Sequence, residues 1–129
     1  MDVEPLVEAA KTARERAYAP YSGFRMGAAV LTSGDKVLTG SLVENVSLGL
    51  AMCAERVALF SSVAAGERPT VLVLVSPRTD GVITFPCGAC LQVGLELGGP
   101  ELAVVAVAPD GETHRSTIGE LLPRGPRKT

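Results

Sequence analysis

The chain has 129 residues, the size of one ordinary domain, and 47% of them are apolar, enough for a core and too many for a disordered chain. Lys and Arg number 12 against 14 Asp and Glu, a formal net charge of −2, and aromatic residues make up only 4%. This balance counts against a protein that tracks a phosphate backbone or stacks single-stranded bases, and it leaves a small-molecule substrate open.

In chain order, the acidic start Met1-Asp2-Val3-Glu4-Pro5 lacks the basic and apolar regions of a targeting segment, so a cytoplasmic protein is expected. Leu6, Val7, Ala10, Ala13 and Ala17 recur at helical spacing after Pro5 and predict a helix over Pro5 to Ala17. Ala19-Pro20-Tyr21-Ser22-Gly23 breaks it. Phe24 to Leu31 and Lys36 to Val43 read as strands of a hairpin turned at Ser33-Gly34-Asp35. A Gly-containing stretch leads to a helix from about Cys53 to Ala65, with Val57, Phe60 and Ala64 marking one face and Gly66 stopping it. The apolar run Val71 to Val75 predicts a strand covered on both faces. A helix from Cys87 to Leu97 ends at Gly98-Gly99. A buried strand Leu102 to Ala108, a turn at Pro109-Asp110-Gly111, a short helix around Ile118 to Leu122 and a basic tail close the chain. Leu102 to Ala108 is the longest apolar run, far short of the roughly 20 residues of a membrane span. No linker or repeat interrupts the sequence, and one domain over residues 1–129 is expected. Two antiparallel strands followed by strand–helix–strand alternation predict an α/β three-layer α-β-α sandwich with a mixed central sheet.

The chemistry concentrates at two helix starts. Three cysteines, an odd number, argue against a disulfide framework. Cys87 and Cys90, in Pro86-Cys87-Gly88-Ala89-Cys90, can place two sulfurs on one metal, and Cys53 can add a third. Three protein ligands leave a tetrahedral zinc ion one open position, the mark of a catalytic site. His114, the only histidine, lies far from these motifs and is not assigned as a ligand. Three thiolates blunt the Lewis acidity of zinc unless positive charge compensates. The helix N-termini supply some. Arg56 can supply more by hydrogen bonding toward the thiolates, or it can be a solvated surface charge. Glu55, two residues after Cys53, suits a proton carrier beside a metal-activated water. Alone it could equally be an acid stabilised at a helix N-terminus. A thioredoxin-like redox pair explains Cys87 and Cys90 and leaves Cys53 and Glu55 without roles, and a structural zinc module lacks a fourth ligand.

Cys53-x-Glu55 followed by Pro86-Cys87-x-x-Cys90 resembles the signature of zinc nucleoside and nucleobase deaminases, with Cys in place of His at the first ligand. The likeness extends over Tyr18-Ala19-Pro20-Tyr21-Ser22, Phe24-x-x-Gly27-Ala28-Ala29, Val43-Glu44-Asn45, Cys53-Ala54-Glu55-Arg56, Pro86 to Val93 and Glu120-Leu121-Leu122-Pro123. Across almost its whole length the chain resembles the short, homotetrameric type of cytidine deaminase. The resemblance implies one zinc ion per chain, held by Cys53, Cys87 and Cys90, and hydrolytic deamination at C4 of cytosine. Glu55 would carry protons to N3 and to the departing amine. Phe24 would pack along the nucleoside, Glu44 would bind a sugar hydroxyl, and the backbone of Ala54 would hold the base edge. For Phe24, ordinary core packing remains an equal reading. The resemblance also implies a tetramer with shared active sites, a small-molecule partner, and neither nucleic acid nor membrane.

The departures cluster at substrate recognition. The family usually has a ribose-binding Asn where this chain has Leu42, an aromatic where it has Leu48, and an Arg where it has Leu91. The aromatic usual after Leu122-Pro123 is replaced by Arg124-Gly125-Pro126. All of these run toward fewer polar or stacking contacts. They admit an alternative substrate for the same chemistry, such as a modified nucleoside, an antibiotic or another amino-heterocycle.

Overall fold

The computed structural model describes residues 2–128. Helix α1, Glu4–Glu15, carries Pro in its first turn and buries Leu6, Val7, Ala10 and Ala13 along one stripe. It stops two residues short of Ala17, whose side chain is nonetheless buried. The hairpin follows as β1, Gly27–Thr32, and β2, Val37–Ser41, both shorter than the apolar pattern suggested. Its turn is tightened at Asp35, which has a positive φ of 61°. Residues 42–53 are irregular apart from a 3-10 turn at Leu48–Leu50.

Helix α2, Ala54–Ala64, leads to β3, Pro69–Val75. Helix α3, Gly88–Gly98, and β4, Ala103–Val107, complete a parallel crossover with β3. β5, Thr113–Thr117, and α4, Ile118–Leu121, follow. The sheet order is β2-β1-β3-β4-β5, with β3 and β4 parallel and the other pairs antiparallel. This is the expected mixed sheet. Its strands alternate between two cores. Ala28, Val30, Leu72, Leu74 and Val104 face α2 and α3, meeting Ala58, Leu59, Leu91 and Leu95. Ala29, Val71, Val73, Val75, Val105 and Val107 face α1, giving the three layers.

One element carries no apolar signal, and the pattern on one helix is corrected. β5 is a polar edge strand, Thr-His-Arg-Ser-Thr, which no apolar alternation announced because no layer covers it. On α2 the buried residues are Ala54, Glu55, Ala58, Leu59 and Ser62. Val57 is only partly covered, and Phe60 and Ala64 are exposed, so the apolar face marked by the spacing points outward.

Candidate active site

The β3–α3 crossover brings the start of α3 to the end of the sheet where β3 finishes, the position at which α/β folds gather their functional groups. Gly40 of β2 brings α2 against the sheet beside it. A Cβ on Gly40 would strike the Ala54 carbonyl oxygen and approach Ala58 N at 2.6 Å, so the first turn of α2 lies directly on the strand. Cys53 and Cys87 are the N-cap residues of α2 and α3, both in extended conformation, and neither side chain is spent on capping. Their sulfurs lie 4.0 Å apart, and Cys87 Sγ is 3.5 Å from Cys90 Sγ. All three sulfurs fall within 4.8 Å of one another, and all three cysteines are free. A tetrahedral zinc ion with Zn–S bonds of about 2.3 Å requires sulfurs about 3.8 Å apart, so the triangle fits that ion. His114 is elsewhere: it sits on exposed β5, 2.7 Å from Glu112 and edge-on to Phe85. Three sulfur ligands would leave the fourth position of such an ion open.

The charges around the triangle follow from its geometry. Arg56 Nη2 lies 3.5 Å from Cys53 Sγ. Cys53 is held down to about 5, first by the hydrogen bond from Cys90 and then by Arg56, and Cys90 is pushed up by giving that hydrogen bond and by burial. Contact with the thiolate raises the Arg56 guanidinium in turn. Glu55 is 1% exposed, and its Oε1 has no hydrogen-bond partner among the described residues. Burial pushes its carboxyl up to about 7. An unpartnered carboxylate oxygen two residues from a ligand is costly unless a water or substrate group meets it. That orphaned atom and the sulfur triangle together are what a metal with an activated water requires.

A cleft of about 280 Å³ opens beside Cys53, and its lining includes Leu42, Glu44, Leu48, Met52 and Arg56. Leu42 and Glu44 therefore share one wall. Phe24 is half-buried and packs against the core on the α2 and α3 side, as does Leu42. Ala54 is fully buried at the first position of α2. Leu91 does not belong with Leu42 and Leu48, because it is 7% exposed within the core. The sequence reading missed the cradle that holds Glu44. The backbone N–H groups of Tyr21 and Ser22 donate to Oε1, the former at 2.9 Å, and the Ser22 hydroxyl donates to Oε2. These contacts hold the Glu44 carboxyl below its usual range. The available signal was the turn Ala19–Gly23, which Glu44 ties down.

A family model for the cytidine and deoxycytidylate deaminase zinc-binding region matches residues 1–106. The chain belongs to this deaminase family. A probable cytidine deaminase of Dictyostelium discoideum is 45% identical over 123 residues, covering 95% of this chain and 82% of that protein. A cytidine deaminase of Halalkalibacterium halodurans is 42% identical over the same length, covering 95% and 92%. The crystal structure of cytidine deaminase from Burkholderia pseudomallei superposes with a TM-score of 0.91 at 48% identity, covering 97% of this chain and 99% of that one. The protein is thus a deaminase, a hydrolase acting on a C–N bond, and zinc is its metal. Cys53, Cys87 and Cys90 all lie within the matched zinc-binding region. No helix of this deaminase is long and apolar enough to cross a membrane among the described residues.

Proposed function

We propose that this chain is a zinc-dependent cytidine deaminase, converting cytidine and 2′-deoxycytidine to uridine and 2′-deoxyuridine with release of ammonia. The observation that carries the reading is the buried, unpartnered Glu55 Oε1 beside a sulfur triangle sized for zinc. The names of the relatives support cytidine over another amino-heterocycle.

One zinc ion per chain, bound by Cys53, Cys87 and Cys90, supplies the Lewis acidity that makes water nucleophilic near neutral pH. Glu55 takes a proton from the water that attacks C4 and passes it to N3. The second proton of that water travels through the same carboxylate to the exocyclic amine, the C4–N bond breaks, and ammonia leaves. A carboxyl held up to about 7 by burial exchanges protons readily at neutral pH, which supports this role. Arg56 offsets the negative charge of the thiolates through its contact with Cys53. The N–H of Ala54, in the first turn of α2, has no acceptor within the helix and suits the base edge. Leu42 and Glu44 in the cleft wall suit the sugar, with Phe24 joined to Glu44 through the Ser22 hydroxyl, to which its N–H donates.

The reading extends to one domain, a homotetramer with shared active sites, and a cytoplasmic place in pyrimidine salvage. Free thiols suit a reducing compartment. The exposed apolar face of α2 and the exposed Val46, Leu48 and Leu50 beside the cleft suit contact with further copies. Glu55→Gln tests the chemistry. The variant is expected to keep one zinc per chain by metal analysis and to lose roughly 10²–10⁴-fold in ammonia release from cytidine. Turnover at the wild-type rate would remove Glu55 from its role.

A further inference from the structure

We infer that Arg78 is a positioning residue for Cys87: it pins the loop that carries this cysteine to the turn between β4 and β5, and the pin slows the loss of zinc. This rests on the reading above that Cys87 binds the metal. Cys87 stands where an irregular segment, residues 76–86, meets α3. On the helix side it is fixed, because its carbonyl accepts from the Leu91 N–H at 2.9 Å. On the other side the ladder with β4 runs to Ser76, whose N–H donates to the Val107 carbonyl. Beyond Ser76, side chains hold the loop.

Arg78 holds the start of this segment. Its Nη2 lies 2.8 Å from Asp110 Oδ2 and 2.7 Å from Glu112 Oε1, so one nitrogen joins two carboxylates of the turn after β4. Phe85 holds the end, two residues before Cys87. Its ring meets His114 edge-on with centroids 6.3 Å apart, and His114 Nε2 lies 2.7 Å from Glu112 Oε2. The contacts close a circuit from Arg78 through Glu112 and His114 to Phe85. The receiving turn is itself firm. Asp110 Oδ1 accepts from the Glu112 N–H at 2.9 Å, and the Ala108 N–H donates to the Glu112 carbonyl at 2.9 Å. Both carboxyls are held below their usual ranges, Asp110 first by the Glu112 N–H and then by Arg78, Glu112 first by His114 and then by Arg78.

Within the loop, the Thr84 hydroxyl donates to the Pro77 carbonyl at 2.6 Å. Its one proton is then spent, so the Thr79 hydroxyl donates to Thr84 across 2.7 Å. These bonds join the two ends of the segment, and a hold on Arg78 is carried to the Phe85 end. Ile83, 7% exposed, seats the segment on Ala106 and Ala108. Zinc escapes a three-sulfur site by losing one sulfur at a time, and a ligand that stays in place rebinds before the ion departs. The local concentration of the freed sulfur sets how often rebinding wins, and a pinned backbone keeps it high. Cutting Arg78 from its turn lets Cys87 move away from Cys53 and Cys90.

The test is the rate at which an excess of a coloured chelator strips zinc from the loaded protein, for wild type, Arg78→Gln, Glu112→Gln, Arg78→Lys and Glu67→Gln. Arg78→Gln and Glu112→Gln are expected to lose zinc roughly 3–10-fold faster than wild type. Arg78→Lys should keep the wild-type rate, because both carboxylates meet a single nitrogen that an ammonium can replace. Glu67→Gln breaks an ion pair with Lys36 beyond the opposite end of β3 and should also keep the wild-type rate, whatever it does to the melting temperature. Wild-type rates in both Arg78→Gln and Glu112→Gln would overturn the inference. Equal acceleration in Glu67→Gln would overturn it too, because the effect would then be one of general stability. Arg78→Lys as fast as Arg78→Gln would do the same, because charge would not be what pins the loop. A wild type that takes up no zinc would overturn the metal reading and this inference with it, an outcome distinct from loaded proteins that all release zinc alike.

Discussion

Arg56 shows how one side chain can set the character of a metal centre. Its guanidinium touches Cys53, the sulfur already favoured as thiolate by Cys90. An Arg is suited to this because its planar fork stays charged under all working conditions. Replacement by Gln leaves a donor of lower charge beside three thiolates. Partners of metal ligands typically contribute 10–100-fold in metal affinity or activity. Arg56→Gln is therefore expected to bind zinc roughly 10–100-fold more weakly in a chelator competition and to turn over more slowly when zinc is saturating. Wild-type zinc affinity together with wild-type kcat would show that the helix N-termini alone balance the thiolates. Glu55 stood out in the sequence because a carboxylate two residues from Cys53 suits a proton carrier, and the structure buries it close to the sulfur triangle. The Tyr21 and Ser22 cradle around Glu44 was not, because it joins backbone groups to a side chain more than twenty positions away.

At the scale of elements, α2 is where the sequence pattern misled, and the reason lies in the polar residues it buries. Its buried face carries Glu55 and Ser62, both almost fully enclosed, while Phe60 and Val63 face outward. Apolar periodicity assumes that burial and hydrophobicity coincide. A helix that buries a carboxylate and a hydroxyl violates the assumption, and the polar residues are hidden in the inward stripe. Helix α1, with no catalytic group, followed its pattern closely. The seating of α2 depends on Gly40, whose missing Cβ lets the Ala54 turn lie on β2. Gly40→Ala is expected to destabilise the protein by about 1–3 kcal/mol and to weaken zinc binding through displacement of Cys53. Gly49→Ala, where a Cβ meets nothing within 4 Å, is the control. Equal melting temperatures and zinc occupancies for the two variants would refute this account of the contact.

A second junction is electrostatic. Glu67, after α2, accepts from the Thr32 hydroxyl and Gly34 N–H and pairs with Lys36 at 3.0 Å, which ties the β1–β2 hairpin to the approach of β3. The Thr32 hydroxyl, then Lys36, holds its carboxyl below the usual value. A carboxyl depressed on folding stabilises the native state above its unfolded pKa, about 4.3, and that stability is lost as pH falls through the lower folded value. Glu67→Gln should therefore melt below wild type at pH 7, and the gap should close below about pH 4. A gap independent of pH across that range would mean that shape, and not charge, holds the junction.

At the scale of the whole molecule, the distribution of apolar surface is the fact to explain. The core is satisfied in two layers, yet Phe60 is 46% exposed and Leu48 87% exposed. Both belong to the α2 side, which also carries the zinc triangle. A chain this small encloses a nucleoside poorly alone, and the cleft beside Cys53 is bounded on one side by the exposed loop of Leu48. Copies of the chain packed through the outer face of α2 would cover that surface and complete the wall at the same time. Light scattering of the zinc-loaded protein should therefore give about four times the 13.3 kDa chain mass. Phe60→Asp, placing a charge at the covered face, should shift that mass downward. It should lower kcat/KM with the smaller species while leaving zinc content unchanged, because Phe60 is exposed and lies about two turns along α2 from Cys53. A wild-type monomer with full activity would separate the catalytic site from assembly, and the exposed apolar face would then need another explanation.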